Sequence, residues 1–182
     1  DGKGSRLTDV DGNEYIDYLL GLGPMIFGHR PPKVTQAVVD FIQQRGTVFA
    51  LPTEDEARLA QKIVDAIPSV DMVRLCNTGT EAVLYATRLA RAFTKRHKII
   101  RFEGMYHGFS DAVYWSKHPN IAKAGPDAHP IPVPQGPGLP KGVEENLLIL
   151  PWNDVDALAD AIKHHGNEIA AVLTEPVMCN TG

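Results

Sequence analysis

The sequence predicts an α/β chain whose later part carries a largely parallel sheet flanked by helices, preceded by a smaller N-terminal segment. Three observations point there. Short apolar runs alternate with helical periodicity from Met72 onward. Ile169-Ala170-Ala171-Val172-Leu173 is apolar throughout and gives way to Thr174-Glu175-Pro176. Asn77-Thr78-Gly79-Thr80 leaves one short run and opens a helix. Runs without polar alternation suit strands covered on both faces, and the strand-helix-strand rhythm is the mark of parallel pairing. The expected boundary sets 1–52, holding a hairpin, a pocket-lining loop and a helix, apart from 53–182, the start of the α/β domain.

In the first segment, Arg6 to Val10 and Glu14 to Tyr18 flank Asp11-Gly12-Asn13, a hairpin signal. Leu19 to His29 is apolar and rich in glycine, fitting a tight connection or the floor of a pocket. Pro31-Pro32 precede a helix with Val34, Ala37, Val38, Phe41 and Ile42 on one stripe, ended by Gly46. After the connector Phe49 to Pro52, Thr53 and Glu56 form a capping box for a helix bearing Leu59, Ala60, Ile63, Val64 and Ile67, closed by Pro68.

Beyond that point Met72-Val73-Arg74-Leu75 reads as a short buried strand, Thr80 to Phe93 as a helix, and Lys98 to Phe102 as the next strand. The basic residues Arg88, Arg91, Lys95, Arg96, His97 and Lys98 suit a solvated helix C-terminus. His118 to Gly142 is rich in proline and glycine. About 25 residues without regular structure is long for a loop, so the segment is functional or packed against something large. Asn146 to Leu150 reads as a strand, Asn153 with Asp156 as the cap of a helix carrying Val155, Leu158, Ala159 and Ile162, and Ile169 to Leu173 as the last strand.

The 182 residues suit one substantial domain or the larger part of a two-domain enzyme cut short. A formal charge of −4 with interspersed signs offers no basic surface for nucleic acid or an anionic membrane. Cys76 and Cys179 are too few for a disulfide framework or a zinc knuckle. No run reaches membrane-spanning length and no signal-peptide pattern opens the chain, so a reduced, soluble, cytoplasmic protein is expected. His164-His165 on a polar helix end have no spaced acidic partner that would make a metal site, and none is expected. Dinucleotide, P-loop and nucleophile-elbow fingerprints are missing from their strand-to-helix contexts.

Two features remain. The turn Asn77 to Thr80 points the first N–H groups of a helix, and the hydroxyls of Thr78 or Thr80, at whatever lies above it. Thr78 and Glu81 also fit a capping box, so an ordinary helix cap explains the same residues. Tyr106-His107 follow the next strand, and in a parallel sheet the two turns share an edge. Tyr106 is either a half-buried tyrosine closing a loop or a platform for a planar ring whose phosphate tail reaches the first turn.

Cys76-Asn77-Thr78-Gly79-Thr80-Glu81-Ala82, Leu89-Ala90-Arg91-Ala92, Lys98 to Gly108 and Glu175-Pro176-Val177 resemble the class-III pyridoxal-phosphate aminotransferases. Asp9 to Tyr18 and Gly23-Pro24-Met25-Ile26-Phe27-Gly28-His29 bring the resemblance closest to the glutamate-1-semialdehyde aminomutase branch. It runs from about Arg6 to the last residue.

The resemblance implies a fold-type I enzyme using pyridoxal 5'-phosphate, a homodimer with its active site at the subunit interface, acting on a small-molecule amino donor and acceptor. It implies that Thr78, Gly79 and Thr80 bind the cofactor phosphate, that Tyr106 stacks on the ring with His107 beside it, and that Glu175 lies near the cofactor. It places Gly21, Leu22, Gly23 and Met25 in the substrate pocket. Family members run more than twice as long, and the Schiff-base lysine and the aspartate at the ring nitrogen are expected after Gly182. None of Lys62, Lys95, Lys98, Lys117, Lys123, Lys141 or Lys163 stands at the family position. The expectation is a truncated, inactive portion, or less simply a scaffold that has lost its chemistry. The aminomutases usually have serine-tryptophan at Gly21-Leu22 and a glycine-serine-glycine gating triplet in the region of Trp115 to Pro126. Both are missing, so two-substrate transamination is expected over intramolecular exchange.

Overall fold

A computed structural model describes residues 1–47 and 49–180. The chain divides into two units, Asp1–Lys62 and Ile63–Gly182.

The first unit opens with three short antiparallel strands, β1 (Gly2–Lys3), β2 (Arg6–Thr8) and β3 (Glu14–Ile16), in the order β1-β2-β3. Arg6 faces Ile16 and Thr8 faces Glu14, so the predicted hairpin forms around a loop from Asp9 to Asn13. Asp9 organises that loop: its carboxylate accepts from the Asp11 and Asn13 N–H groups, the Asn13 amide and the Tyr15 hydroxyl. These bonds, those from Asn13 first, hold it down to about 2. Helix α1 (Pro32–Arg45) begins on a proline, whose missing N–H costs nothing in a first turn, and ends at Gly46, which takes φ 93°. Its stripe is present, but Val34, Val38 and Ile42 are exposed. Helix α2 (Glu54–Ala66) starts where the Glu56 N–H donates to Thr53 Oγ1, with three acids in its first turn complementing the helix dipole.

In the second unit, α3 (Gly79–Thr94) leads to a parallel sheet of β4 (Lys98–Phe102), β5 (Leu147–Leu150) and β6 (Ile169–Leu173), with β4 in the middle. Ile99 pairs with Leu147 and Phe102 with Leu150; on the other side Ile99 pairs with Ala171 and Arg101 with Leu173. Alternation along β4 splits the core. Ile100 and Phe102 pack with Met105, Ala161 of α4 (Val155–His165) and Ile169. Ile99 packs with Trp115, Leu147 and Ile149. Ile99 and Ile100 are fully buried, as expected for a central strand covered on both faces. From His118 to Gly142 the chain holds a single 3₁₀ turn, Ile121–Lys123, and no strand, although an isolated bridge joins Trp115 to Pro134.

Two expectations are corrected. Met72 to Leu75 is not a strand: the segment has no ladder partner among the described residues, and Met72 is 90% exposed. Strand propensity without a neighbour to take the backbone hydrogen bonds does not make a strand. The cap of α4 is Asp154, whose carboxylate accepts from the Ala157 N–H at 2.9 Å, and not Asn153. Asn153 instead takes the turn before the helix in the left-handed region, at φ 61°.

Candidate active site

The entrance to α3 is a reciprocal cap. Thr78 Oγ1 accepts from the Glu81 N–H at 3.1 Å, while the Glu81 carboxylate accepts from the N–H groups of Asn77 and Thr78 at 2.6 and 3.1 Å. The Gly79 and Thr80 N–H groups meet no acceptor among the described residues. A Cβ on Gly79 would have nothing within 4 Å. Two unspent donors with a helix dipole behind them suit an anion.

The loop after β4 closes on this turn. The Phe109 N–H donates to Thr80 Oγ1 at 3.3 Å. Gly108 takes φ 95°, and a Cβ there would fall 2.6 Å from Thr80 Oγ1 and 2.8 Å from its Cα. Glycine is required at 108 by both its conformation and the close approach. Thr80 and the Tyr106-His107 turn are therefore brought together.

Tyr106 is half-buried; Phe109 meets its ring edge-on at 5.5 Å, and the Lys117 ammonium sits 4.7 Å from its centroid. Burial, then the neighbouring Tyr114, raises its hydroxyl above the usual range. His107 is buried and its Nε2 has no hydrogen-bond partner among the described residues. Burial first, and the Arg101 cation second, push its imidazole down to about 4 against a smaller opposing effect of Glu175, so it is neutral at pH 7. Glu175, just past β6, accepts from the Tyr106 N–H and, with its other oxygen, from the Cys179 N–H, each at 3.0 Å. It thus ties together the turns leaving β4 and β6, the edge where open α/β sheets place their sites.

Gly21, Leu22, Gly23 and Met25 lie in the first unit. Leu20, Gly21, Leu22 and Gly23 all take positive φ, from 48° to 109°, and Leu22 is exposed. The base of this left-handed turn is Asp17, buried, with one oxygen accepting from the Leu19 and Leu20 N–H groups and the other 2.7 Å from His29 Nε2.

Sequence reasoning missed that Arg101 and Ser116 are buried and bonded to backbone. Arg101 stands in the apolar run Lys98-Ile99-Ile100-Arg101-Phe102 and is fully buried. A charge on one face of such a strand was the available signal. Ser116 is also fully buried at φ 47°; its carbonyl accepts from the Gly104 N–H, and its hydroxyl accepts from the Val133 N–H. Nothing in its sequence context marks it. Among the described residues no cluster of potential metal ligands forms, and no helix is long and apolar enough to cross a membrane.

Comparison with known proteins bears on the whole chain. The family described as Aminotransferase class-III matches residues 1–182. Glutamate-1-semialdehyde 2,1-aminomutase 1 of Staphylococcus aureus is 46% identical over 181 residues, covering 100% of this chain and 40% of that protein. An omega-transaminase from Sphaerobacter thermophilus superposes with a TM-score of 0.92 at 38% identity, covering 100% of this chain and 41% of the other. A transaminase with PLP bound superposes with a TM-score of 0.87 at 34% identity, with coverages of 100% and 41%. The chain spans about 40% of the length of the curated relatives it matches. With a central parallel sheet, the capped helix α3 after the Asn77 to Thr80 turn and these likenesses, the fold is that of the fold-type I transferases, and the chain belongs to the class-III aminotransferase family.

Proposed function

We propose that this stretch holds pyridoxal 5'-phosphate in an enzyme that moves an amino group. The observation that carries the reading is the closure of the Gly108-Phe109 turn onto Thr80, which brings the loop that carries Tyr106 to the helix entrance where two N–H groups are unspent. A transaminase at TM-score 0.87 binds this cofactor, which supports the same reading. Gly79 and Thr80 offer N–H groups to the phosphate. Thr78 and Thr80 accept hydrogen bonds through their hydroxyl oxygens and keep their own hydroxyl hydrogens to donate. Tyr106 covers the ring, and neutral His107 stands beside it without adding charge. Glu175 fixes the backbone of Tyr106. When bound, the cofactor supplies an electron sink for the substrate's reacting carbon.

The loop with Gly21, Leu22, Gly23 and Met25 is proposed to line a substrate pocket, and the active form is proposed to be a cytoplasmic homodimer with its site at the subunit interface. The lysine that binds the cofactor covalently is assigned to a part of the protein outside these 182 residues, which by themselves are inactive in this reading.

Relatives from Staphylococcus aureus, Listeria monocytogenes and Methanopyrus kandleri at 44–47% identity are aminomutases, which favours intramolecular exchange on glutamate-1-semialdehyde over the two-substrate transamination expected from the sequence. Two-substrate transamination stays as the second reading because Gly21-Leu22 replaces serine-tryptophan and Trp115 to Pro126 lacks the gating triplet. Incubating full-length protein with glutamate-1-semialdehyde and no added acceptor decides. Sustained conversion to 5-aminolevulinate is expected; no conversion, with turnover restored by an amino donor and a keto acid, gives the second reading.

A further inference from the structure

We propose that Arg101 is the positioning residue of the Tyr106-His107 turn, gripping the loop that carries both side chains by the carbonyls at its two ends. The consequence for cofactor binding rests on the function proposed above, whereas the grip itself does not.

Arg101 lies in the central strand between Ile100 and Phe102 and has no exposed surface. Its Nη1 donates to the Val113 carbonyl and its Nη2 to the Met105 carbonyl. Between those carbonyls run Tyr106, His107, Gly108 and Phe109, the residues that close on Thr80. No carboxylate lies within ion-pair distance among the described residues; Glu175 offsets the charge from further off, and burial lowers the guanidinium to about 10. Its Nε has no partner among the described residues. A cation set into an apolar face is disfavoured, and an aliphatic side chain would fill the position more cheaply. An aliphatic chain cannot serve two buried carbonyls, and a lysine ammonium, though it has three N–H donors, offers them from one point and not from the two separate nitrogens of a planar fork. Replacing Arg101 leaves the Met105 carbonyl without its donor and the Val113 carbonyl with only the Trp115 N–H, which loosens the loop between them.

The loop is held through its backbone: Arg101 takes its carbonyls, and Glu175 takes the Tyr106 N–H. His107 Nε2 is left unspent, and the Tyr106 ring keeps contacts with Phe109 and Lys117. Misplacement of such a turn by a fraction of an ångström is transmitted directly to whatever stacks on Tyr106.

The test uses full-length protein as wild type, Arg101→Met, Arg101→Lys and, as a purely structural control, Val113→Ala. Two quantities are read: the His107 titration by NMR in the cofactor-free protein, and the dissociation constant for pyridoxal phosphate. In Arg101→Met the His107 titration is expected to move up from about 4, because the neighbouring cation is gone, and cofactor affinity to fall about tenfold or more. Val113→Ala is expected to lower thermal stability while leaving the His107 titration in place. Arg101→Lys is expected to keep the low titration and still lose affinity severalfold. Wild-type affinity in Arg101→Met would overturn the proposal whatever the His107 titration does, because that titration moves with the loss of a nearby cation alone. Should that variant not fold, wild-type cofactor affinity in Arg101→Lys overturns it. A wild-type protein that binds no cofactor would sink the functional reading, and the backbone amide NMR shifts of Tyr106 to Phe109 in Arg101→Met would then decide on Arg101 alone, wild-type shifts overturning the grip.

Discussion

Tyr106 and Asp17 illustrate how single side chains set the two candidate regions. Tyr106 is half-buried, with Phe109 against its edge. Removing its ring by Tyr106→Ala should weaken cofactor binding by about 1–3 kcal/mol, the range for a lost stacking platform, measured by equilibrium titration of full-length protein. Unchanged affinity would place the ring elsewhere. At Asp17, the Leu20 N–H bond and then the His29 bond hold the carboxyl below the ordinary carboxylate range. A lowered folded-state pKa gives stability that is complete above the unfolded value, about 4, and is lost as pH falls through the folded value. The difference in denaturation midpoint between wild type and Asp17→Asn should therefore be largest above about pH 4 and shrink below it; a difference constant with pH would show that the charge is not what counts. Neither His29 as partner nor the left-handed run Leu20 to Gly23 could be read from the sequence, because a pairing across twelve positions is a property of the folded loop.

Elements were legible where local chemistry decides them. The Thr78–Glu81 capping box was written in the sequence and is present with both reciprocal arms. Thr78→Ala should cost about 1 kcal/mol in urea denaturation followed by circular dichroism, since it strips the Glu81 N–H of its acceptor. No loss would mean that the Glu81 carboxylate alone secures the turn. The strands β4, β5 and β6 were legible from their apolar runs, and each of them found a neighbour. Met72 to Leu75 had the same composition and failed for want of one, which shows that strand formation is decided by pairing rather than by the residues alone. The α4 cap slipped from Asn153 to Asp154 because both residues can cap; the left-handed backbone at Asn153 decides between them.

At the scale of the whole molecule, the parallel sheet and the family were legible, because ordered motifs at a strand edge carry them. The strand order β5-β4-β6 was not, since nothing local says which strand takes the centre. Likewise the role of Arg101 depends on carbonyls that lie up to 12 positions away. Of the candidate site, the pair of turns could be picked out by local pattern, whereas the buried Arg101 and Ser116, which bond backbone groups around one of them, could not. The most direct measurement is a crystal structure of full-length protein with pyridoxal phosphate. The phosphate is predicted to accept hydrogen bonds from the Gly79 and Thr80 N–H groups while the ring lies against Tyr106. Cofactor bound with its phosphate away from that turn, or with Tyr106 turned from its ring, would contradict the account.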